Sequence, residues 1–311
     1  MDEKPLVSIL SSVYNERLYI EQTIHSVLKQ RYEHWEWIIV DDGSTDGTGD
    51  ILRSIRDKRV RCVFQGKTGS LAGNMNRALA MSSGDIIATL DGDDHWPEDK
   101  IELQMKSFDD RDVVFSYGEC TVIDAEGRSM GYVGLPEDSR VARNDPKGSA
   151  LRSLLVEVDC FICNATVMYR RSGLLEIGGF VEKDGLPQDF STWVRLSLVG
   201  NFSAIPACLG YYRKHSKSMS STRDHVSTYE KQTDFLREFF LLNVKVLREC
   251  GVEIEMDPLE RGWRRIKVKM QIIQELMRLS SFVGMDLVNP LILSINRNPR
   301  IRKVIRRILS L

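Results

Sequence analysis

The chain has 311 residues, 42% hydrophobic and 28% charged, with a formal net charge of -1. That composition excludes a disordered chain, 22 scattered glycines and nine prolines exclude a collagen-like or linker protein, and six cysteines are too few for a disulfide scaffold. The near-zero total hides an asymmetry, because residues 1–220 carry 26 basic and 33 acidic side chains whereas residues 221–311 carry 17 and 11.

Met1 runs directly into Asp2-Glu3-Lys4, with no apolar stretch behind it, so no secretory leader is expected. Leu6–Leu10 is a short apolar run that reads as a buried strand. A helix is predicted to open at Asn15-Glu16, with Ile20, Ile24, Val27 and Leu28 on one face. Trp37–Val40 is a second strand, ending at Asp41-Asp42-Gly43, and Ser44 or Asp46 is suited to cap the helix that carries Ile51, Leu52 and Ile55. Val60–Phe64, Ile86–Leu90 and Val113–Phe115 read as further strands, and Leu71–Met81 as a helix. Pro97 suits the first turn of a helix bearing Ile101, Leu103 and Met105. Apolar strands separated by helices predict an α/β fold with a mostly parallel sheet covered on both faces.

Downstream, Asp124–Gly127 is a turn between two strand-like runs, and Pro136–Gly148 reads as a loop. Ala165–Tyr169 is strand-like and Phe190–Leu198 helical. After Thr222 the pattern is helical almost to the end. The apolar stretch Phe282–Ile295 is interrupted by Asp286, Asn289 and Pro290, which argues against a membrane-spanning helix.

Three acidic clusters stand at element ends. Asp41-Asp42 follows a strand, where open α/β sheets bind ligands, but turn and cap chemistry would also account for it. Asp91-Gly92-Asp93-Asp94 follows another buried strand. Carboxylates packed around a glycine can converge on Mg²⁺ or Mn²⁺ and share it with substrate phosphates, which a plain turn does not require. Gln188-Asp189 opens a helix, and by itself reads as a cap. Gln65–Ser70 precedes a helix and, with Lys67, offers an anion site of backbone N–H groups. It is not a Walker loop, and no G-x-G-x-x-G follows the first strand, which disfavours a nicotinamide enzyme. Cys160 and Cys163 form a lone C-x-x-C, read as small buried residues rather than a zinc site.

In register, these segments resemble glycosyltransferase family 2, with its GT-A fold, over about residues 5–220. The resemblance rests on Val7–Glu16, the Asp41–Thr48 loop, Leu90–Asp94 followed by Trp96-Pro97, Thr166–Arg171 with Gly178–Phe180, Gln188–Phe190, and Tyr212–His215. It implies a Rossmann-like catalytic domain at 1–220, with a nucleotide-sugar half at about 1–118 and an acceptor half at about 119–220. A helical extension with a basic tail would occupy 221–311. It also implies an inverting transferase that moves sugar from a nucleotide-diphosphate sugar to a hydroxyl of a glycan or lipid-linked glycan, as in surface polysaccharide synthesis at the cell envelope.

The resemblance further implies that Asp42, with Asp41, holds base and ribose. Val13, Asn15, Glu16, Lys67, Asn76, Asp91 and Gly92 complete the donor site. Asp91 and Asp93 would carry a divalent cation, Mn²⁺ or Mg²⁺, and Asp189 would be the base. Arg213 and His215 are additional site candidates. Two positions depart from the pattern: Gln188 replaces the usual Glu, and Asn74–Arg77 replaces the usual Ala-Arg-Asn, so that the expected cationic contact is either missing or moved to Lys67 or Arg77.

Two alternatives are a catalytically inactive nucleotide-sugar-binding module and a sugar-phosphate nucleotidyltransferase. Retention of Asp42, Asp91, Asp93 and Asp189 argues against the first. Absence of a glycine-rich basic signature after the first strand argues against the second. The acidic front and a tail without interleaved aromatics exclude a nucleic-acid partner. From Pro299, residues 301, 304, 305 and 308 form an apolar stripe, with basic residues at 302, 303, 306 and 307. That pattern fits a helix lying on an anionic membrane, or one packed on its own domain. The expected location is cytoplasmic, at the inner face of the membrane.

Overall fold

The structure is a computed structural model that describes residues 4–135, 143–145, 147, 154, 162–182, 186–222, 224–251, 253 and 255–283. The basic tail from 284, most of the stretch 136–161, and Cys160 lie outside the described residues. Nine strands form one sheet: β1 (Val7–Val13), β2 (Trp35–Asp41), β3 (Val60–Phe64), β4 (Ile86–Thr89), β5 (Val113–Ile123), β6 (Ser129–Val133), β7 (Arg143–Asp145), β8 (Met168–Arg170) and β9 (Asn201–Arg213). Their order is β3-β2-β1-β4-β8-β5-β9-β7, with β6 beside β5. Strands β3, β2, β1 and β4 are mutually parallel, and so are β5 and β9. Antiparallel β8 joins these two parallel groups, while β6 and β7 pair antiparallel with β5 and β9.

The helices are α1 (Ile20–Leu28), α2 (Thr48–Ser54), α3 (Leu71–Met81), α4 (Lys100–Met105), α5 (Arg171–Glu176), α6 (Gln188–Leu196), α7 (Met219–Thr222), α8 (His225–Glu249) and α9 (Met256–Val283). Alternation along the strands divides the core between two faces. Val7, Ile9, Val13, Trp37 and Ile39 share one apolar cluster with Ile20 and Val27 of α1, Leu52 of α2 and Ile101 of α4. Leu10, Ile38 and Val40 are equally buried, and α3 packs on β1 and β2.

Several sequence expectations need correction. The helix expected at Asn15 begins at Ile20, because Asn15 takes a left-handed φ of 59° and makes a turn. Ser44 caps no helix; its Oγ accepts the Asn15 N–H at 2.9 Å. Gly47 precedes α2, and Asp46 Oδ1 accepts the Thr48 N–H. Helix α4 starts at Lys100, three residues after Pro97. The expected strand at Ala165 begins as a 3-10 turn, Asn164–Thr166. Strand β5 extends far past Phe115, since both β9 and β6 pair with its later half. The stretch read as a loop contains β7.

The chain divides into two compact units, Met1–Arg223 with Leu242–Glu253, and Asp224–Leu241 with Ile254–Leu311. In the second, Arg237 binds Glu260 at 2.9 Å and Asp234 at 2.7 Å, and Lys267 pairs with Glu230. Among the described residues, no helix is long and apolar enough to cross a membrane.

Candidate active site

Parallel pairing brings the carboxyl ends of β1, β2 and β4 to one edge. Val13 is in register with Asp41, and Leu10 with Thr89. The segments that follow these strands, Tyr14–Glu16, Asp42–Asp46 and Leu90–Asp94, therefore emerge side by side. They border a cavity of about 550 Å³ whose walls include Val13, Glu16, Asp42, Lys67, Asp91, Gly92, Asp93 and Asp189.

Asp42 is anchored by its own N–H to the Val13 carbonyl. Its Oδ1 accepts from Thr68 N at 2.8 Å, Thr68 Oγ1 at 2.8 Å and Gln65 Nε2 at 2.9 Å, and Oδ2 accepts from Gly69 N at 2.9 Å. Burial alone would raise this carboxyl, but the four donors outweigh it and hold the pKa at about 2. Asp42 thus fastens the Gln65–Gly69 loop. Asn74 continues the network, with Oδ1 accepting from Gln65 and Nδ2 donating to Ser12 Oγ. Gly43 permits the crossing: its φ is 78°, and a Cβ there would lie 2.7 Å from Lys67 N. Lys67 Nζ sits 3.9 Å from the Tyr14 ring centroid.

The anion site expected at the N-terminus of α3 is filled by the protein itself. Glu182 accepts from Leu71 N at 3.1 Å and from Ser70 Oγ at 2.7 Å. Three donor-site candidates also stand away from the cavity wall. Asp41 is buried and accepts the Ser44 N–H. Asn15 Oδ1 accepts the Thr45 N–H. Asn76 clasps the backbone of Phe180, donating to its carbonyl and accepting its N–H. Asn74, two residues earlier, is the one that lines the cavity. Arg77 donates to Gln65 Oε1 at 2.6 Å.

At the next strand end, Gly92 is needed for close approach. A Cβ there would lie 2.8 Å from Val13 Cγ1 and 2.9 Å from Glu16 Cγ. Asp91 Oδ2 accepts from Asn164 Nδ2 at 3.0 Å. Asp93 meets His215 instead, whose Nε2 lies 3.0 Å from Asp93 Oδ2. Glu16, Asp93 and His215 each bring one ligand atom within 4.8 Å of the others. Burial first, then Asp93, Asp91 and Asp46, push the Glu16 carboxyl up to about 8. Two carboxylates and an imidazole, crowded enough to raise a carboxyl this far, fit a divalent cation such as Mn²⁺. The expected Asp91–Asp93 pair is therefore joined by a different grouping, with Asp93 common to both.

Asp94 turns inward and is buried. Its Oδ1 accepts the Arg213 N–H, and burial foremost, with Asp93 and Asp91, raises its carboxyl well above the usual range. Arg213 is 2% exposed and ties loops together. Its guanidinium donates to the Asp93, Asp124 and Ala125 carbonyls and to Gln22. It is off the cavity wall, whereas its neighbour Lys214 lines it. Asp189, in the first turn of α6, lines the cavity, and its Oδ1 accepts the Phe190 N–H.

Residues 8–178 match Glycosyl transferase family 2. TuaG of Bacillus subtilis (strain 168), named for teichuronic acid biosynthesis, is 35% identical over 225 residues, which are 71% of this chain and 83% of TuaG. This chain belongs to glycosyltransferase family 2. Another relative is WfaP of Escherichia coli, named as a UDP-Glc:alpha-D-GlcNAc-diphosphoundecaprenol beta-1,3-glucosyltransferase. It is 31% identical over 70% of this chain and 81% of its own length. S. aureus TarS 1–349, solved with UDP-GlcNAc, superposes at a TM-score of 0.61 with 18% identity, covering 83% of this chain and 70% of TarS. Mannosyltransferase PcManGT from Pyrobaculum calidifontis, solved with GDP-Man and Mn²⁺, gives 0.56 at 17% identity, covering 99% and 86%. At those identities the likeness is one of fold, and the fold is GT-A.

In this family 2 glycosyltransferase, sequence reasoning took Thr68 and Gly69 only as part of the Gln65–Ser70 anion loop, not as partners of Asp42, and gave Asn74 and Asn164 no site role. Thr68-Gly69 stands directly before the Ser70 cap of α3, where two consecutive N–H groups can face one carboxylate, and that was the available signal. Asn164 carried none, because the chain fold alone brings it to Asp91.

Proposed function

We propose that the enzyme transfers a sugar from a nucleotide-diphosphate sugar to a hydroxyl of a glycan or lipid-linked glycan, in one inverting displacement. The observation that carries this reading is the single cavity that Asp42, Asp93 and Asp189 share. The nucleoside lies against Asp42 and the Thr68-Gly69 turn it fastens, with Lys67 at the rim. Glu16, Asp93 and His215 would hold a divalent cation, which when bound supplies positive charge against the leaving diphosphate. Asp189 takes the proton of the acceptor hydroxyl as that oxygen bonds to the anomeric carbon and the bond to the diphosphate breaks. The name of WfaP, which acts on a diphosphoundecaprenol-linked sugar, supports a lipid-linked acceptor.

The test is thermal shift against a panel of nucleotide sugars, with and without Mn²⁺. At least one donor is expected to raise the melting temperature, and more so with Mn²⁺. No shift with any donor would contradict the reading.

A lipid-linked acceptor calls for a membrane nearby, and we assign that contact to the basic tail. Full-length protein is expected to pellet with anionic but not neutral vesicles, and protein without residues 296–311 to stay in solution. Equal pelleting of both proteins would make the tail ordinary packing.

A further inference from the structure

The proposed reaction leaves Asn76 of α3 and the Gly178–Glu182 segment without a task, and the structure joins the two. Asn76 Nδ2 donates to the Phe180 carbonyl at 2.6 Å, and Asn76 Oδ1 accepts the Phe180 N–H at 2.8 Å. Gly179 makes this clasp possible, since its φ is 84° and a Cβ there would collide with Asn76 Oδ1. Two residues after Phe180, Glu182 accepts from the Ser70 hydroxyl and the Leu71 N–H with its two carboxylate oxygens. Ser70 directly follows the Thr68-Gly69 turn, which donates to Asp42. Asn76 and Glu182 therefore moor Phe180–Glu182 to the donor side of the cavity.

The same segment also holds α6. The Val181 carbonyl accepts from Ser191 Oγ at 2.9 Å. Phe180 is 2% exposed and meets the Tyr169 ring edge-on, with centroids 5.9 Å apart, and the Tyr169 hydroxyl accepts from Trp193 Nε1 at 3.1 Å. Ser191 and Trp193 stand in α6, two and four residues after Asp189. A carboxylate at the start of α3 would serve as a plain helix cap without any of these contacts. Glu182 differs because its chain neighbour Val181 is bonded to the helix that carries the base. Transfer needs the acceptor oxygen, the base and the anomeric carbon in one geometry, and a displacement of about 1 Å can cost ~10²-fold.

We propose that Glu182 is a positioning residue: with Asn76 it moors Phe180–Glu182 on the donor side, and so sets where α6 presents Asp189 to the acceptor hydroxyl. This rests on Asp189 being the base of the proposed function.

The experiment uses the full chain, the donor selected by the panel and an alkyl-diphosphate acceptor carrying N-acetylglucosamine. Donor titration by calorimetry gives affinity and stoichiometry, so that kcat is expressed per binding-competent site. Glu182→Ala is expected to lower that kcat by ~10-fold or more. Donor affinity should stay nearly unchanged, because Asp42 keeps its four donors. Glu182→Gln retains an accepting oxygen and is expected to recover most of the loss. Ser191→Ala cuts the same connection at α6, while the Gln188 carbonyl that Ser191 also reaches keeps its bond from Thr192 Oγ1. The two cuts made together should cost less than the product of their separate fold-changes. A wild-type kcat per site in Glu182→Ala, donor affinity falling in step with kcat, or fold-changes that multiply in the double variant would overturn the assignment and leave Glu182 a cap. Asp189→Asn in the same assay separates the two readings. Its undiminished transfer would remove the base and the mooring together, whereas its loss beside an unaffected Glu182→Ala removes only the role of Glu182.

Discussion

Replacing Asp189 by Asn lowers transfer by ~10²-fold or more, the usual scale for losing a general base, while donor affinity stays nearly intact. The substitution keeps the side chain's size and its place in the first turn of α6, where the neighbouring Phe190 N–H can still be accepted. What it loses is the ability to take a proton from the acceptor hydroxyl. Donor contacts are assigned to the opposite elements, the ends of β1, β2 and β4, so they should not feel the change. Steady-state kinetics with a separate donor titration checks both halves. A variant that lost donor affinity but kept its turnover rate would show Asp189 to be a binding residue.

Chelation should have an effect as large. EDTA is expected to lower transfer by ~10²-fold or more, and Mn²⁺ or Mg²⁺ to restore it, because several kcal/mol of charge stabilisation at the diphosphate depend on the cation. The Glu16, Asp93 and His215 grouping predicts which substitutions matter. Asp93→Ala should abolish the metal response, and Glu16→Gln or His215→Ala should raise the Mn²⁺ concentration needed for half-maximal rate. Full activity of Asp93→Ala in chelator would remove the cation from the account. The raised Glu16 carboxyl adds a pH signature. Below about 8 the metal-free protein holds a proton there that a cation must displace, so apparent Mn²⁺ affinity rises as pH climbs toward 8. The sign for folding is opposite in the metal-free protein. The unfolded chain releases this proton near 4.5 and the folded one near 8, so stability falls as pH rises between them.

Local pattern carried much of this. The Val60–Phe64 strand and the Leu71–Met81 helix were legible with their observed limits, because continuous apolar runs and 3.6-residue spacing are properties of adjacent residues. The acidic clusters were legible as strand-end features for the same reason. Convergence was not. Glu16 comes from a turn after β1, Asp93 from the end of β4, and His215 from just beyond β9, so no spacing relates them. Asn74 and Asn76 show the limit within one helix. Two residues apart means roughly opposite sides, and only the packing of α3 decides that Asn74 meets the cavity while Asn76 holds Phe180. Asp42 shows another limit. Its acidity in sequence suggested a contact to ligand, but four protein donors already surround it, which makes it first a fastener of the Gln65–Gly69 loop.

The central claim is a single displacement at the anomeric carbon within this cavity. The most direct measurement is proton NMR of the product formed from whichever donor the panel selects, read at the anomeric signal before any mutarotation. The expected product has the configuration opposite to the donor's, β from an α-linked nucleotide sugar. A product that retains the donor's configuration would contradict it, because retention requires a second displacement or a same-face route that Asp189 as a simple base does not provide.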